Sequence, residues 1–407
     1  MPSVWPSRRR SFLLAVLGVG TLVLTSPITA LAHDPSAYGG LFRSRDSGAT
    51  WFPANPGRIV SGALALAVSP VDPNHLLLAT DSGLLRSRNA GLDWVLEAPS
   101  LLVGAVFAVA FHADGRRAIA AGGSIIARSE DGQAWHRIDV GDDALPPRWL
   151  ARGHRDRLYL VGWRQLYVSE DWGASWNALA SPVPETSVTQ LLVAPGDETV
   201  YALAGGRLWV TERAKSAWRP ADAGLPDAGI DAAAADAGEP RRLWATAQSQ
   251  VFRSDDGGET WKPWGRRVGE SSLAVRGLAV SVTAREIVLT TDRGLYRSAD
   301  AGDHWELPGD NLPAHLEAWP LARDPSDPGT LYAGFALAPY TELWRLAAER
   351  TTALARVGSM GLIGSAAFFV LLGLGAAAAL RWAWRHERAA RAVAMTSSAA
   401  RPQGRPR

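Results

Sequence analysis

Ser44-Arg45-Asp46-Ser47-Gly48-Ala49-Thr50-Trp51 is the first copy of a pattern that returns along most of the chain. Ser87-Arg88-Asn89-Ala90-Gly91-Leu92-Asp93-Trp94 repeats it with Asn at the centre, and Ser129-Glu130-Asp131-Gly132 reaches Trp135 one residue early. Ser169-Glu170-Asp171-Trp172-Gly173-Ala174-Ser175-Trp176 is a full copy, whereas Thr211-Glu212-Arg213-Ala214-Lys215-Ser216-Ala217-Trp218 has lost both Asp and Gly. Ser254-Asp255-Asp256-Gly257-Gly258-Glu259-Thr260-Trp261 and Ser298-Ala299-Asp300-Ala301-Gly302-Asp303-His304-Trp305 match again. The centres stand at 46, 89, 131, 171, 213, 256 and 300, at spacings of 43, 42, 40, 42, 43 and 44. Self-similarity at such a period marks stacked copies of one supersecondary unit.

Each copy follows an alternating apolar run, such as Gly40-Leu41-Phe42-Arg43 or Gly294-Leu295-Tyr296-Arg297, which reads as a strand. Asp accepts hydrogen bonds from turn amides, Gly supplies a positive φ, and the Trp that opens the next strand brings a large apolar face. Two more apolar runs lie upstream, clearest at 64–68 and 76–80 around Ser69-Pro70-Val71-Asp72-Pro73-Asn74. Four strands per unit make the blade of a propeller. Six units are complete. The first hairpin, residues 41–52, lacks its upstream strands. The last unit, from Leu316 to about Leu346, has them together with Glu342-Leu343-Trp344-Arg345 but no box. The two ends are expected to complete one blade between them, so the predicted fold is an all-β, seven-bladed propeller, with eight blades the alternative count.

The repeats resemble those of the Asp-box, or BNR, β-propellers over essentially the whole body. In plan the chain looks most like the seven-bladed photosystem II assembly factor family and its bacterial relatives. That resemblance implies structural turns at the blade periphery for Asp46, Asn89, Asp131, Asp171, Asp256 and Asp300. The tryptophans Trp51, Trp94, Trp135, Trp176, Trp218, Trp261 and Trp305 belong to the same structural set. It further implies a non-enzymatic scaffold that binds a membrane protein or peptide. The decay at Asn89 and Arg213 agrees with a folding role. Sialidases, the best-known enzymes on this repeat, are similar to six-bladed rings with an Arg-Ile-Pro signature, and Arg58-Ile59-Val60 lacks the Pro.

Outside the repeats, Arg8-Arg9-Arg10, an apolar run from Phe12 to about Leu24 and Ala30-Leu31-Ala32 have the order of a secretory signal. The basic start suits either a general or a twin-arginine route. Residues 357–380 hold no charge and are long enough to span a bilayer, and Arg381, Trp382, Trp384, Arg385, Arg388 and Arg391 follow at once. The expected organisation is therefore a signal segment 1–32, a propeller 33–350, a linker 351–356, a transmembrane helix 357–380 and a cytoplasmic tail 381–407. The propeller would face away from the cytoplasm. The chain has no cysteine, which excludes disulfides and thiol chemistry. Of its 42 basic and 40 acidic residues, 31 and 39 lie between His33 and Thr352, so the body is acidic by about eight charges. That is not the electrostatic footprint of a nucleic-acid binder.

Candidate chemistry is sparse. No histidine pair has metal-ligand spacing, although His33 would carry a terminal amine after cleavage and could then chelate copper. No metal or cofactor is expected. In a propeller the loops joining strands two and three share a face with the blade links, opposite the Asp-box turns. On that face lie Asp81-Ser82-Gly83, Gly162-Trp163-Arg164, Gly205-Gly206 and Asp292-Arg293-Gly294, with Arg58, Asp142-Asp143 and Arg266-Arg267 in the links. Exposed Trp and Arg are favoured interface anchors, which singles out Trp163, Arg164, Arg266, Arg267 and Arg293 as the binding set. The alternative is a surface carbohydrate-active protein, either hydrolase or glycan binder. That reading requires two carboxylates facing each other across the channel, about 5–10 Å apart. Asp81, Asp142 and Asp143 are the candidates.

Overall fold

The computed structural model describes residues 39–356 apart from 184–187, 196–198, 213–216, 228, 237, 270–272, 309–310 and 314–315. Among these residues the strands form seven antiparallel sheets. Blade 1 comprises Ala63–Val68, Leu76–Thr80, Gly83–Ser87 and Val95–Glu97, numbered from the channel outward. Blades 2 to 5 repeat this order over residues 106–138, 149–179, 188–220 and 230–264, and blade 6 occupies 275–298. Blade 7 joins the chain ends: Glu317–Arg323 and Leu331–Ala336 are inner, Gly40–Ser44 and Phe52–Pro53 outer. Gly40 pairs with Phe335 and Ser44 with Leu331, which closes the ring as expected.

A blade is apolar on both faces because each face packs on a different neighbour. Leu76 and Leu78 enter the core cluster shared with blade 7, while Leu77 and Ala79 enter the one shared with blade 2. The period of two in side-chain direction thus becomes an alternation between seams. Seven such clusters exist among the described residues, one at each seam, so seven blades close without a gap.

Two elements differ from expectation. Among the described residues blade 6 has three strands, with an isolated bridge between Arg297 and Glu306 outside them. In blade 1 the equivalent bridge continues to a pair between Leu84 and Glu97. Blade 6 has Pro308 at that place, and proline has no N–H to donate to the ladder. The residues Glu342-Leu343-Trp344-Arg345 do not form a strand. Together with the expected linker they lie in helix α1, Tyr340–Arg356, which follows the last strand after Leu337, Ala338 and Pro339. No helix among the described residues is long and apolar enough to cross a membrane. The signal segment, His33, the candidate span 357–380 and the tail lie outside the described residues.

Candidate functional site

The Asp boxes are self-contained turns. In the first, Asp46 Oδ1 accepts from Ser44 Oγ at 2.8 Å and Thr50 N at 2.9 Å, and Oδ2 accepts from Thr50 Oγ1 at 2.6 Å. Gly48 N donates to Ser44 Oγ. The same bonds recur around Asp171, Asp256 and Asp300, with His304 replacing the hydroxyl residue in the last. At Asp256 burial opposes ionisation, yet the bonds from Thr260 and Ser254 outweigh it and hold the carboxyl down at about 2. Both oxygens of each carboxylate are bonded within the turn, so these groups serve as folding devices. Three of the tryptophans reach across seams, Trp94, Trp218 and Trp261 donating to the Ala54, Ala180 and Ala221 carbonyls of the preceding blade, whereas Trp51 and Trp176 donate to Gly48 and Gly173 of their own turns. In the box shortened by one residue, Trp135 reaches the Glu97 carboxylate instead. Residues 213–216 of the decayed copy, Arg213 included, lie outside the described set.

The opposite face is built from the predicted loops. Asp81 Oδ2 accepts from Ser61 Oγ, Arg164 N donates to Asp143 O, Val268 N to Ser249 O and Asp292 Oδ1 accepts from Ala274 N. The turns at Asp81, Arg164 and Asp292 are thus braced by the link that enters their own blade, and the turn at Ser249 by the link that leaves it, which is why the two sets share a face.

At the centre of this face the innermost strands of six blades slip register near their first residue. A bulge re-aims the side chain it displaces. Thr189, Asp231, Arg276 and Trp319 sit at these irregularities and line one cavity with Arg148, Trp149, Gln190, Glu317 and Tyr340. Trp149 of blade 3 and Trp319 of blade 7 meet across the channel, ring centroids 5.5 Å apart. Arg276 Nε donates to Glu317 Oε1 at 2.6 Å, and Glu317 Oε2 accepts from Tyr340 N at 3.0 Å. Asp231 is pushed up to about 6 by burial, with Arg276 opposing and Asp292 reinforcing the shift. The cavity holds about 90 Å³.

Helix α1 lies over this mouth. Tyr340 makes edge contacts with Phe107 and Trp319, and its hydroxyl donates to Arg148 O. One turn on, Trp344 Nε1 donates to Pro147 O at 3.1 Å, its ring lies 5.2 Å from Trp163, and the Arg148 guanidinium stands 4.9 Å over it.

The predicted binding set is thereby divided. Trp163 is a half-buried platform for α1, not a free anchor. Arg164, beside it on blade 3, is exposed, as is Arg293 on blade 6, on another side of the ring. Arg266 and Arg267 are exposed as well, but Arg266 sits in the blade 5–6 seam: its N–H donates to Gly302 O and its carbonyl accepts from Trp305. Arg266 stands two residues past the end of the outer strand and bonds to the box glycine of the next blade, so the link has not yet climbed to the channel face there. Asp81 is committed to Ser61, and Arg58 donates to Trp94 O. Sequence reasoning missed Asp231, Arg276, Glu317, Trp149, Trp319 and Tyr340. Their signal was charged or bulky residues interrupting innermost strands such as Ile-Asp-Ala-Ala-Ala-Ala and Val-Arg-Gly-Leu-Ala-Val.

Boxes, seams and closure together define a seven-bladed Asp-box β-propeller. A family model described as BNR/Asp-box repeat matches residues 252–263. No curated protein matches the chain. Among solved structures, YCF48 bound to D1 peptide is similar with a TM-score of 0.54 at 19% identity, over 70% of this chain and 95% of that one. YCF48 from Cyanidioschyzon merolae gives 0.52 at 18%, over 68% and 96%. The GH74 xyloglucanase from Xanthomonas campestris gives 0.54 at 21%, over 70% of this chain and 53% of that one. At these identities the likeness is one of fold.

Proposed function

We propose that this chain is a membrane-anchored, extracytoplasmic scaffold whose channel-mouth face binds a segment of a membrane protein without catalysing a reaction. The observation that carries the reading is α1 itself: a polypeptide segment already lies on this face, held through a tyrosine and a tryptophan. A propeller of the same fold solved with a bound peptide supports a peptide as the ligand. The anchor is read from residues 357–380, which continue directly from α1. At 1.5 Å per residue they reach about 36 Å, enough for a bilayer core. Because α1 leaves from the mouth, that face is the one tied to the anchor and within reach of integral partners.

The carbohydrate reading draws on Asp231 and Glu317, two carboxylates on one cavity, and on the xyloglucanase likeness. Two facts weigh against it. Both oxygens of Glu317 are bonded, to Arg276 and to the start of α1. The cavity of about 90 Å³ is far below the roughly 300–1,000 Å³ of ligand pockets.

The test is photocrosslinking from positions 164 and 293 in native cells. Recovery of an integral membrane protein, lost in an Arg164→Glu/Arg293→Glu variant, is the expected result. Release of oligosaccharide from surface polysaccharide, abolished by Asp231→Asn, would overturn the scaffold in favour of a hydrolase.

A further inference from the structure

We infer that α1 is a displaceable intramolecular ligand of the channel mouth, and that the partner segment replacing it is a helix presenting a tyrosine and a tryptophan one turn apart. The inference rests on the mouth being a protein-binding face, and it names what that face recognises and how access to it is controlled.

Four observations carry it. First, the ring is complete without the helix. None of the seven seam clusters contains a residue of α1 among the described side chains, 340–349, and blade 7 is closed by strands that end at Ala336. Second, over its described side chains, 340–349, α1 engages chiefly through one side. Tyr340, Trp344 and Ala348 follow the i, i+4, i+8 spacing of one helical face, and Ala348 is buried. On the other side Arg345 pairs with Glu342 and Glu349 within the helix. Such pairs support an isolated helix, so these three charges keep one another as partners when it lifts away. Third, the contact is not packed like a core. The cavity persists beneath Tyr340 and Thr341, walled by Arg148, Arg276 and Asp231, where a close-packed interior would leave no such void. Fourth, the anchoring bonds are ones that another helix carrying the same two aromatic donors could remake. Glu317 accepts from the first backbone N–H of α1, and the carbonyls of Pro147 and Arg148 accept one hydroxyl and one indole N–H. The recognised chemistry is a helix start followed by two aromatic donors in register.

Tethering keeps α1 at a high effective concentration, so a partner binds with its intrinsic affinity reduced by the fraction of time the mouth is closed. Partners lacking the aromatic pair do not displace it.

The chain has no cysteine, and a Cβ built on Gly123 lies 3.5 Å from Ala347 Cβ, within the separation a disulfide spans. Gly123→Cys with Ala347→Cys in the full chain therefore locks α1 down on oxidation. The probe is a fluorescein-labelled synthetic peptide of residues 339–349, measured by anisotropy on the full chain in lipid nanodiscs. In a Trp344→Ala background, which weakens the tethered copy, the reduced form binds the peptide at least tenfold more tightly than the oxidised form. Equal binding in both forms, or none in either, would overturn the proposal. Hydrogen exchange on the unmodified chain is independent of any variant: α1 amides exchange well before those of the blade strands. Protection of α1 equal to theirs would also sink it. Capture of a membrane protein in cells tests the protein-binding reading separately. If capture fails while redox-gated peptide binding holds, only the identity of the natural ligand falls.

Discussion

Asn89 takes the place of the box aspartate, and its neighbour Asp93 takes the place of the hydroxyl residue. Asn89 Oδ1 still accepts from Asp93 N at 2.8 Å, but Asn89 Nδ2 now donates to Asp93 Oδ2, the reverse of the Thr50-to-Asp46 bond. The exchange is thus a compensated pair, not decay. Asn89→Asp, although it restores the common residue, should destabilise the protein by about 1 kcal/mol through two facing carboxylates. Adding Asp93→Thr should recover that loss, a non-additivity read from urea unfolding of the four members of the cycle. The boxes also set an acid limit. Asp256 is held at about 2, and Asp46, Asp171 and Asp300 are lowered too. Their contribution is complete above the ordinary carboxylate value near 4 and is lost as pH falls toward 2. Asp231 works in the opposite direction. Pushed up to about 6, it favours the fold at low pH, and that share is lost as pH rises from about 4 through 6. Asp231→Asn should flatten the pH dependence of unfolding free energy between about 4 and 6 and leave the acid limb unchanged.

At the scale of elements, the box turn and the outer strand meet the neighbouring blade with little room. Gly91 has φ +92°, and a Cβ there would lie 2.5 Å from the Ala54 carbonyl oxygen across the seam. Gly91→Ala combines that clash with a conformation that costs about 1–3 kcal/mol for a residue with a side chain. A lowered unfolding midpoint in denaturant would register it. The missing outer strand of blade 6 gives a prediction of the other sign. Pro308→Glu supplies the N–H that Glu97 provides in blade 1, and one added ladder bond should stabilise by about 0.5–1.5 kcal/mol. No gain in unfolding free energy would mean that another constraint excludes the strand.

For the molecule as a whole, the weak point is where the chain ends meet. Phe42 and Phe335 pack edge to face with centroids 5.4 Å apart, one from the first strand of the propeller and one from its last. Phe335→Ala should cost about 3–5 kcal/mol as a buried truncation. Trp344→Ala, which touches no seam cluster, should leave ring stability within about 0.5 kcal/mol. Calorimetry of the two variants side by side checks both. The proposed anchor is tested by ending the chain after residue 356, which should release the propeller from membranes into the soluble fraction after lysis.

The blade count, the box turns and the pairing of the two chain ends were legible in the sequence. Each rests on residues within about 45 positions of one another, or on a repeat that counts itself. The face opposite the boxes was legible for the same reason, since strand order alone puts turns and links together. What occupies that face was not. Tyr340 and Trp344 bond to carbonyls 192 and 197 residues away, and Trp149 meets Trp319 across the channel. No local periodicity encodes contacts of that separation. Nor could Asp231, Arg276 and Glu317 be seen to share a cavity, because they come from three blades and converge only once the ring has closed, with register slips displacing Asp231 and Arg276 at its mouth.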